Sequence, residues 1–343
     1  MDLVALNKLK VLLEAPQNIV IVPHRNPDGD AMGSSLGMFW FLKSMGLNSQ
    51  VILPNEIPDF LKWMPGVETT LNFEKQNNQS VKALDEASLI FLLDFNAFHR
   101  AGDVMGKKLS SLSAEFVMID HHQEPDDITE FMYSDTSICA TCEMIFHFIK
   151  KLDKTELICS KTATCLYTGI MTDTGSFKFG STTALTHRVV AELIDKGANN
   201  SQIHSKVFDQ NSYDRLQLLG KSLSNMVRME SCRTAYICLS DEDLKAHNFQ
   251  KGDTEGVVNY ALSIKGVVLA AIFIEDKNQN IIKISFRSRG DFSVNRFARS
   301  YFEGGGHDNA AGGRSLLSLE DTAKRFVELV ELNKDAILAT YED

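Results

Sequence analysis

Residues 24–30 read HRNPDGD, one imidazole and two carboxylates within seven positions. A neutral histidine and an ionised aspartate each offer an electron pair to a divalent cation. Three more stretches carry the same groups: Asp94 closes FLLD, Asp120 closes VMID with His121 and His122 directly behind it, and Asp173 lies in GIMTDTGSF. The donor set is then His24, Asp28, Asp30, Asp94, His121 and Asp173. That mix of carboxylate oxygen and imidazole nitrogen suits manganese or a similar borderline ion better than calcium, bound by oxygen alone, or zinc bound by thiolates. Six ligand residues are too many for one ion that keeps positions open for water and substrate. Two ions with a shared carboxylate are expected, an arrangement suited to the hydrolysis of phosphate esters. A single aspartate after a strand is commonly a helix cap, and a single histidine a polar contact. Four such segments in one chain favour metal chemistry.

Secondary structure must bring these segments together. NIVIVP ahead of His24 is a short β-branched run that Pro27 and Gly29 stop, and AMGSSLGMFWFLKSMG then shows helical spacing up to Gly46. Strand, acidic turn and helix is the unit from which open α/β sheets build active sites. QVILP, SLIFLLD and FVMID read as further strands, with helices near 137–153, 160–171 and 182–196 and with Asp173 in a turn after an apolar run. This alternation predicts a mostly parallel sheet with helices on both faces. KGANNSQIHSKVFDQNS, after residue 195, reads as a polar linker. Beyond it RTAYICL, then VVLAAIFIE and NIIKISFRS around DKNQ, predict a strand and a β-hairpin, followed by a helix in VNRFARSYF, the glycine-rich GGGHDNAAGG and a closing helix from about Glu320. The expected α/β organisation is a metal-bearing catalytic domain over 1–196, a linker over 197–230 and a smaller α/β substrate-binding domain over 231–343, with the active site in the interdomain cleft.

The chain has 343 residues, 44% hydrophobic and 23% charged, with formal charge −10 from 35 basic and 45 acidic side chains. Proteins that track long nucleic acid by phosphate neutralisation are usually basic, so a polyanionic substrate is expected to be short and gripped at a few points. No run approaches the roughly 18 apolar residues of a membrane span, and the N-terminus lacks a signal-peptide pattern. A cytoplasmic location without membrane association is expected. Cys139 and Cys142 have CxxC spacing, but they open an apolar helical stretch and no second pair follows. Buried packing is the expectation for them.

HRNPDGDAMGSSLG at 24–37, LLDFN at 92–96, DHH at 120–122 and TDTGSF at 172–177 resemble, in order and spacing, the motifs of the DHH phosphoesterase superfamily. SFRS at 285–288 and GGGHDNAAGG at 304–313 resemble its DHH-associated C-terminal domain, so the resemblance covers nearly the whole chain. In layout and length the chain is most similar to the nanoRNases, oligoribonucleases that also act as phosphatases on 3′-phosphoadenosine 5′-phosphate. The resemblance implies two manganese ions, with magnesium or cobalt as substitutes. His24, Asp28, Asp94 and Asp173 would surround one, and Asp30, Asp94, His121 and Asp173 the other. It further implies that Asp120 orients His121, and that His122 faces the phosphate as proton donor or charge stabiliser. Arg100, six residues after Asp94, falls where family members place an arginine near the substrate phosphate.

In the C-terminal domain, backbone amides of Gly304, Gly305 and Gly306 can approach an anion closely. With His307 and Arg287 they form an expected clamp for a nucleotide phosphate. Arg289, Asn309 and His99 receive no assigned role. The implied partners are short oligoribonucleotides and phosphorylated nucleotides, not long duplex nucleic acid, and a homodimer is compatible with the sequence. Two other readings stay open. A related hydrolase of polyphosphate or of cyclic-dinucleotide breakdown products would keep every ligand and differ in the clamp. A nucleotide sensor without activity would show a broken ligand set, whereas each position is filled.

Overall fold

Short apolar runs form the sheet of the first unit: β1 (Asn18–Pro23), β2 (Asn48–Leu53), β3 (Leu71–Asn72), β4 (Leu89–Leu93), β5 (Glu115–Asp120) and β6 (Phe131–Ser134). The computed structural model describes residues 2–15 and 17–340, and the chain divides into two compact units, Met1–Gln210 and Asn211–Asp343. In the first, the strands lie in the order β3-β2-β1-β4-β5-β6, and each pair is parallel. The order reverses between β1 and β4, which opens a crevice outside their carboxyl ends.

Among the described residues, eight α-helices accompany this sheet: α1 (Leu3–Glu14), α2 (Gly29–Ser44), α3 (Asn77–Asp85), α4 (Asp103–Ser110), α5 (Thr141–Lys151), α6 (Ser160–Asp173), α7 (Ala184–Asp195) and α8 (Asn200–Phe208). Alternate strand residues feed two cores. Ile19, Ile21, Phe91 and Leu93 pack with side chains of α2, α5 and α6. Val20, Val22, Ile90 and Leu92 pack with Leu84 of α3 and with Met105 and Leu109 of α4. Burial on both faces is why these strands read as continuous apolar runs rather than as alternating ones.

The segment expected as a linker over 197–230 is folded. It holds α8, then α9 (Tyr213–Ser224) and β7 (Met226–Met229), and the boundary between the units in the chain falls after Gln210. Asn199 and Ser212 cap the two helices, and Ile203 with Val207 buries a narrow stripe of α8. One apolar residue per turn docks a helix whose other faces are polar, so polarity alone concealed it. Asp173 also differs from expectation, because the apolar run before it is helical and Asp173 is the last residue of α6.

In the second unit β8 (Thr234–Leu239), β9 (Leu269–Asp276), β10 (Ile281–Ser288), β11 (Gly305–His307) and β12 (Ala310–Ser315) join β7 in the order β11-β12-β10-β9-β8-β7. β8 and β9 pair parallel and the other pairs are antiparallel, so the sheet is mixed. The hairpin expected around DKNQ is β9–β10. The helices are α10 (Asp241–Ala246), α11 (Val257–Leu262), α12 (Val294–Tyr301), α13 (Leu319–Leu332) and α14 (Lys334–Leu338). Phe273, Phe286, Phe297, Phe302 and Phe326 fill the core on one face of the sheet. The glycine-rich GGGHDNAAGG forms the β11–β12 hairpin. Its glycines permit this: a Cβ on Gly304 would fall 2.0 Å from the Gly312 carbonyl oxygen, and Gly306 has φ of 149°.

Candidate metal centre

The carboxyl ends of β1, β4 and β5 deliver most of the donors. His24 follows β1 directly, and Asp28 caps α2 by accepting the N–H groups of Asp30 and Ala31 at 3.0 and 3.1 Å. Between them Asn26 has φ of 56° and exchanges hydrogen bonds with Asn55, which pins the turn. Asp94 follows β4 with φ of 65°, while its N–H still donates to the Ile119 carbonyl of β5. Left-handed backbone at a non-glycine residue is costly, by roughly 1 kcal/mol or more, and such residues concentrate at functional sites.

α2 and α6 bring Asp30 and Asp173 to the same place. Gly29, Gly33 and Gly37 lie four apart on α2, where a Cβ would collide with Thr172, Cys165 and Leu166 of α6 respectively. From α6, a Cβ on Gly169 would fall 2.1 Å from the Cys142 sulfur and 2.8 Å from Asp30 Oδ1. The helices therefore cross with almost no side-chain spacer.

Two donor clusters result. His24 Nε2 lies 3.5 Å from Asp94 Oδ2 and 3.9 Å from Asp28 Oδ1. His121 Nε2 lies 3.6 Å from Asp94 Oδ1, 3.9 Å from Asp30 Oδ2 and 3.7 Å from Asp173 Oδ2. His24, Asp28 and Asp94 offer ligand atoms within 4.8 Å of one another, as do Asp30, Asp94 and His121, so Asp94 is common to both groups. The imidazoles are oriented for coordination. His24 Nδ1 lies 2.9 Å from the Arg25 carbonyl, and His121 Nδ1 lies 3.2 Å from the Ile138 carbonyl. A carbonyl only accepts, so a neutral ring keeps its proton on Nδ1 and its lone pair on Nε2.

The electrostatics fit divalent cations. Burial, with the Asp94 and Asp173 carboxylates, pushes Asp30 well above the usual carboxylate range. For Asp94 burial acts in the same direction, but His24, His122 and His121 overcome it and hold the group below that range. Burial would lower His24; Asp94 and Asp28 outweigh it and push its pKa up to about 9. Carboxylates this close and this buried cannot all ionise without positive charge among them, and metal ions would replace the protons that otherwise supply it.

Asp120 engages His122. Its Oδ1 accepts from His122 Nδ1 at 2.7 Å, and its Oδ2 accepts the His122 N–H at 3.0 Å. The expectation that Asp120 orients His121 is corrected accordingly, since His121 Nδ1 faces the Ile138 carbonyl. Burial lowers the His122 pKa, but Asp120 and Asp94 raise it further than burial and Arg100 lower it. Arg100 is exposed in a short turn, near enough for its charge to act on His122. His99 beside it is exposed.

The second unit arranges its own candidates in one row. Arg287 of β10 is paired with Ala310 of β12, which is paired with His307 of β11. Directly opposed residues of antiparallel strands project from the same face, so Arg287 and His307 flank the small Ala310 with backbones roughly 10 Å apart. Asn309 braces the adjoining turn, because its amide donates to Ser288 Oγ and to the Gly290 carbonyl, both at 2.9 Å. Arg289 is exposed, and its N–H donates to the Val268 carbonyl.

Sequence reading missed Thr141. Its hydroxyl donates to Asp94 Oδ1 at 2.9 Å, and its N–H donates to Asp30 Oδ2 at 2.6 Å, while the Cys142 N–H reaches Asp30 Oδ1 at 2.9 Å. The glycine spacing of four in GDAMGSSLG was a readable sign of the close helix crossing. Nothing comparable marks Thr141. Cys139 and Cys142 are buried, free thiols, and burial raises the pKa of each.

Comparison with known proteins is consistent with this geometry. Residues 18–170 match the DHH family, N-terminal domain, and residues 234–333 match the DHHA1 domain. A Thermus thermophilus protein named bifunctional oligoribonuclease and PAP phosphatase NrnA is 30% identical over 94% of this chain and 91% of its own length. A Bacillus subtilis protein of the same name is 25% identical, over 92% of this chain and 95% of its own. The crystal structure of an exopolyphosphatase-related protein from Bacteroides fragilis matches with TM-score 0.94 at 39% identity, covering 98% of each chain.

Proposed function

The chain belongs to the DHH family of phosphoesterases, and we propose that it hydrolyses short 5′-phosphorylated oligoribonucleotides to mononucleotides and 3′-phosphoadenosine 5′-phosphate to AMP. The observation that carries the metal-dependent part is the pair of donor clusters joined at Asp94. The relatives named bifunctional oligoribonuclease and PAP phosphatase, similar over most of both chains, support the choice of substrate. Both reactions break one kind of bond. Water adds to a phosphorus carried on the 3′-oxygen of a nucleoside that also bears a 5′-phosphate, and the 3′-oxygen leaves with a proton.

His24, Asp28 and Asp94 would hold one ion, and Asp30, Asp94 and His121 the other, with Asp173 beside them. Manganese suits this donor mix, with magnesium or cobalt as substitutes. When bound, such ions make water nucleophilic at neutral pH and offset charge on the phosphoryl oxygens. The protein's own groups do the rest. Asp120 fixes the His122 ring through Nδ1, which leaves Nε2 to give a proton to the departing 3′-oxygen. A pKa raised by Asp120 and Asp94 favours the protonated ring that this step needs. Arg100 adds positive charge for the reacting phosphate. The Gly306 N–H is taken by Asn295 Oδ1 at 3.2 Å, so Arg287, His307 and the amides of Gly304 and Gly305 would hold the 5′-phosphate, and binding energy spent there positions the reacting bond. Six free cysteines support a cytoplasmic setting, and among the described residues no helix is long and apolar enough to cross a membrane.

Product analysis tests the substrate class. Manganese-loaded protein should release AMP from 3′-phosphoadenosine 5′-phosphate and mononucleotides from a 5′-phosphorylated diribonucleotide, and should leave polyphosphate intact. Phosphate released from polyphosphate, with both nucleotides untouched, would overturn the proposal in favour of a polyphosphatase.

A further inference from the structure

One five-residue segment, 138–142 at the start of α5, touches candidate ligands delivered by three different elements. The Ile138 carbonyl lies 3.2 Å from His121 Nδ1, behind β5. Thr141 donates its hydroxyl to Asp94, behind β4, and its N–H to Asp30, in the first turn of α2; the Cys142 N–H completes the hold on Asp30. The Asp94 contact is selective between oxygens. Thr141 Oγ1 binds Oδ1, the oxygen 3.6 Å from His121, while Oδ2 lies 3.5 Å from His24. Rotation about the carboxylate bond would otherwise be soft.

The segment is itself anchored from behind. Cys139 donates to Glu143 Oε2 at 2.9 Å, and Glu143, only 2% exposed, lies 3.3 Å from His147 Nε2 through its other oxygen. Thr186 of α7 reaches the Cys139 sulfur at 3.7 Å. A buried, fully engaged carboxylate in this position resists local movement of the chain.

We propose that Thr141 is a positioning residue of the metal centre, holding the Asp94 carboxylate so that one oxygen faces each donor cluster. The inference rests on the two-ion reading of the site. Without the hydroxyl the Asp94 carboxylate could rotate away from one donor cluster, and an ion held there would lose a ligand. Groups that orient metal ligands typically change affinity by about 10- to 100-fold when removed.

Calorimetric titration of manganese into metal-free protein tests this, with thermal melting of the metal-free form alongside. Wild type should take up two ions. Thr141→Val, which keeps the shape and the N–H, should weaken the second ion by about 10- to 100-fold, with little change in metal-free melting. Thr141→Ser, which restores the hydroxyl, should bind nearly as wild type. If Thr141→Val does not fold, Thr141→Ala enters the same comparison. Thr141→Val with wild-type affinities, or Thr141→Ser as weak as Thr141→Val, would overturn the proposal while leaving the two-ion reading intact. Wild type that takes up no manganese would overturn that reading itself.

Discussion

At the scale of single residues, Asp94 matters most, because its two oxygens face different histidines and its left-handed backbone turns it into the crevice. Asp94→Asn keeps the shape and removes the charge. Its catalytic efficiency should fall at least about a hundredfold, and elemental analysis should find both ions depleted. Full metal content with more than a few per cent of activity would contradict a shared ligand. His122 makes the complementary case. His122→Asn should lower turnover by about a hundredfold or more with metal content unchanged, and equal metal loss in His122→Asn and in His121→Asn would show that the two histidines act alike. The candidate ligands were legible in the sequence because polar groups stood beside apolar runs that had to end. Which histidine Asp120 serves was not, since it depends on side-chain directions within three adjacent residues. Thr141 was hidden for a related reason: its hydroxyl matters through one distant carboxylate.

At the scale of elements, the contact between α2 and α6 fixes how near Asp30 and Asp173 can come. Gly169→Ala forces a methyl group against Cys142 and Asp30 and should destabilise the fold by about 1 to 3 kcal/mol. Gly180→Ala, where a Cβ meets nothing within 4 Å, should change stability by no more than about 0.5 kcal/mol. Urea denaturation of the two variants tests the contrast, and equal stability would mean that the crossing is loose.

α5 carries a pH signature. Burial would raise the Glu143 pKa, but His147, Cys139 and Thr186 hold it below the usual range. The unfolded chain therefore binds the proton first as pH falls, so the stability this carboxylate contributes is present above its ordinary pKa and lost as pH drops through the lowered one. Glu143→Gln should cost about 1.5 to 3 kcal/mol at neutral pH, with a deficit that shrinks in acid. A deficit independent of pH in denaturation experiments would contradict the ionised form. Helices such as α5 and α6 were visible as long apolar stretches. The four-residue edge strand β6 and the narrow stripe of α8 fell below what periodicity can resolve.

At the scale of the whole molecule, a formal charge of −10 means that the proposed anionic substrates would have to be bound locally. The two-part organisation was legible because the strand and helix pattern restarts near Arg233. The boundary was not, since a helix on each side of Gln210 replaces the expected linker. The glycine-rich segment was legible as a special place but not as a hairpin, because glycines are poor strand formers and are accepted here through close backbone packing. The proposed division of labour has hydrolysis at the Asp94 clusters and the 5′-phosphate held by Arg287 and His307. The most direct test compares the catalytic efficiency of Arg287→Ala and His307→Ala on two substrates. On 3′-phosphoadenosine 5′-phosphate each should lose about ten- to a hundredfold, as expected for a lost charge-assisted contact. On a nitrophenyl phosphodiester, which has no second phosphate, each should be close to wild type. Equal losses on both substrates would show that these residues support the fold or the metal centre and do not hold a phosphate.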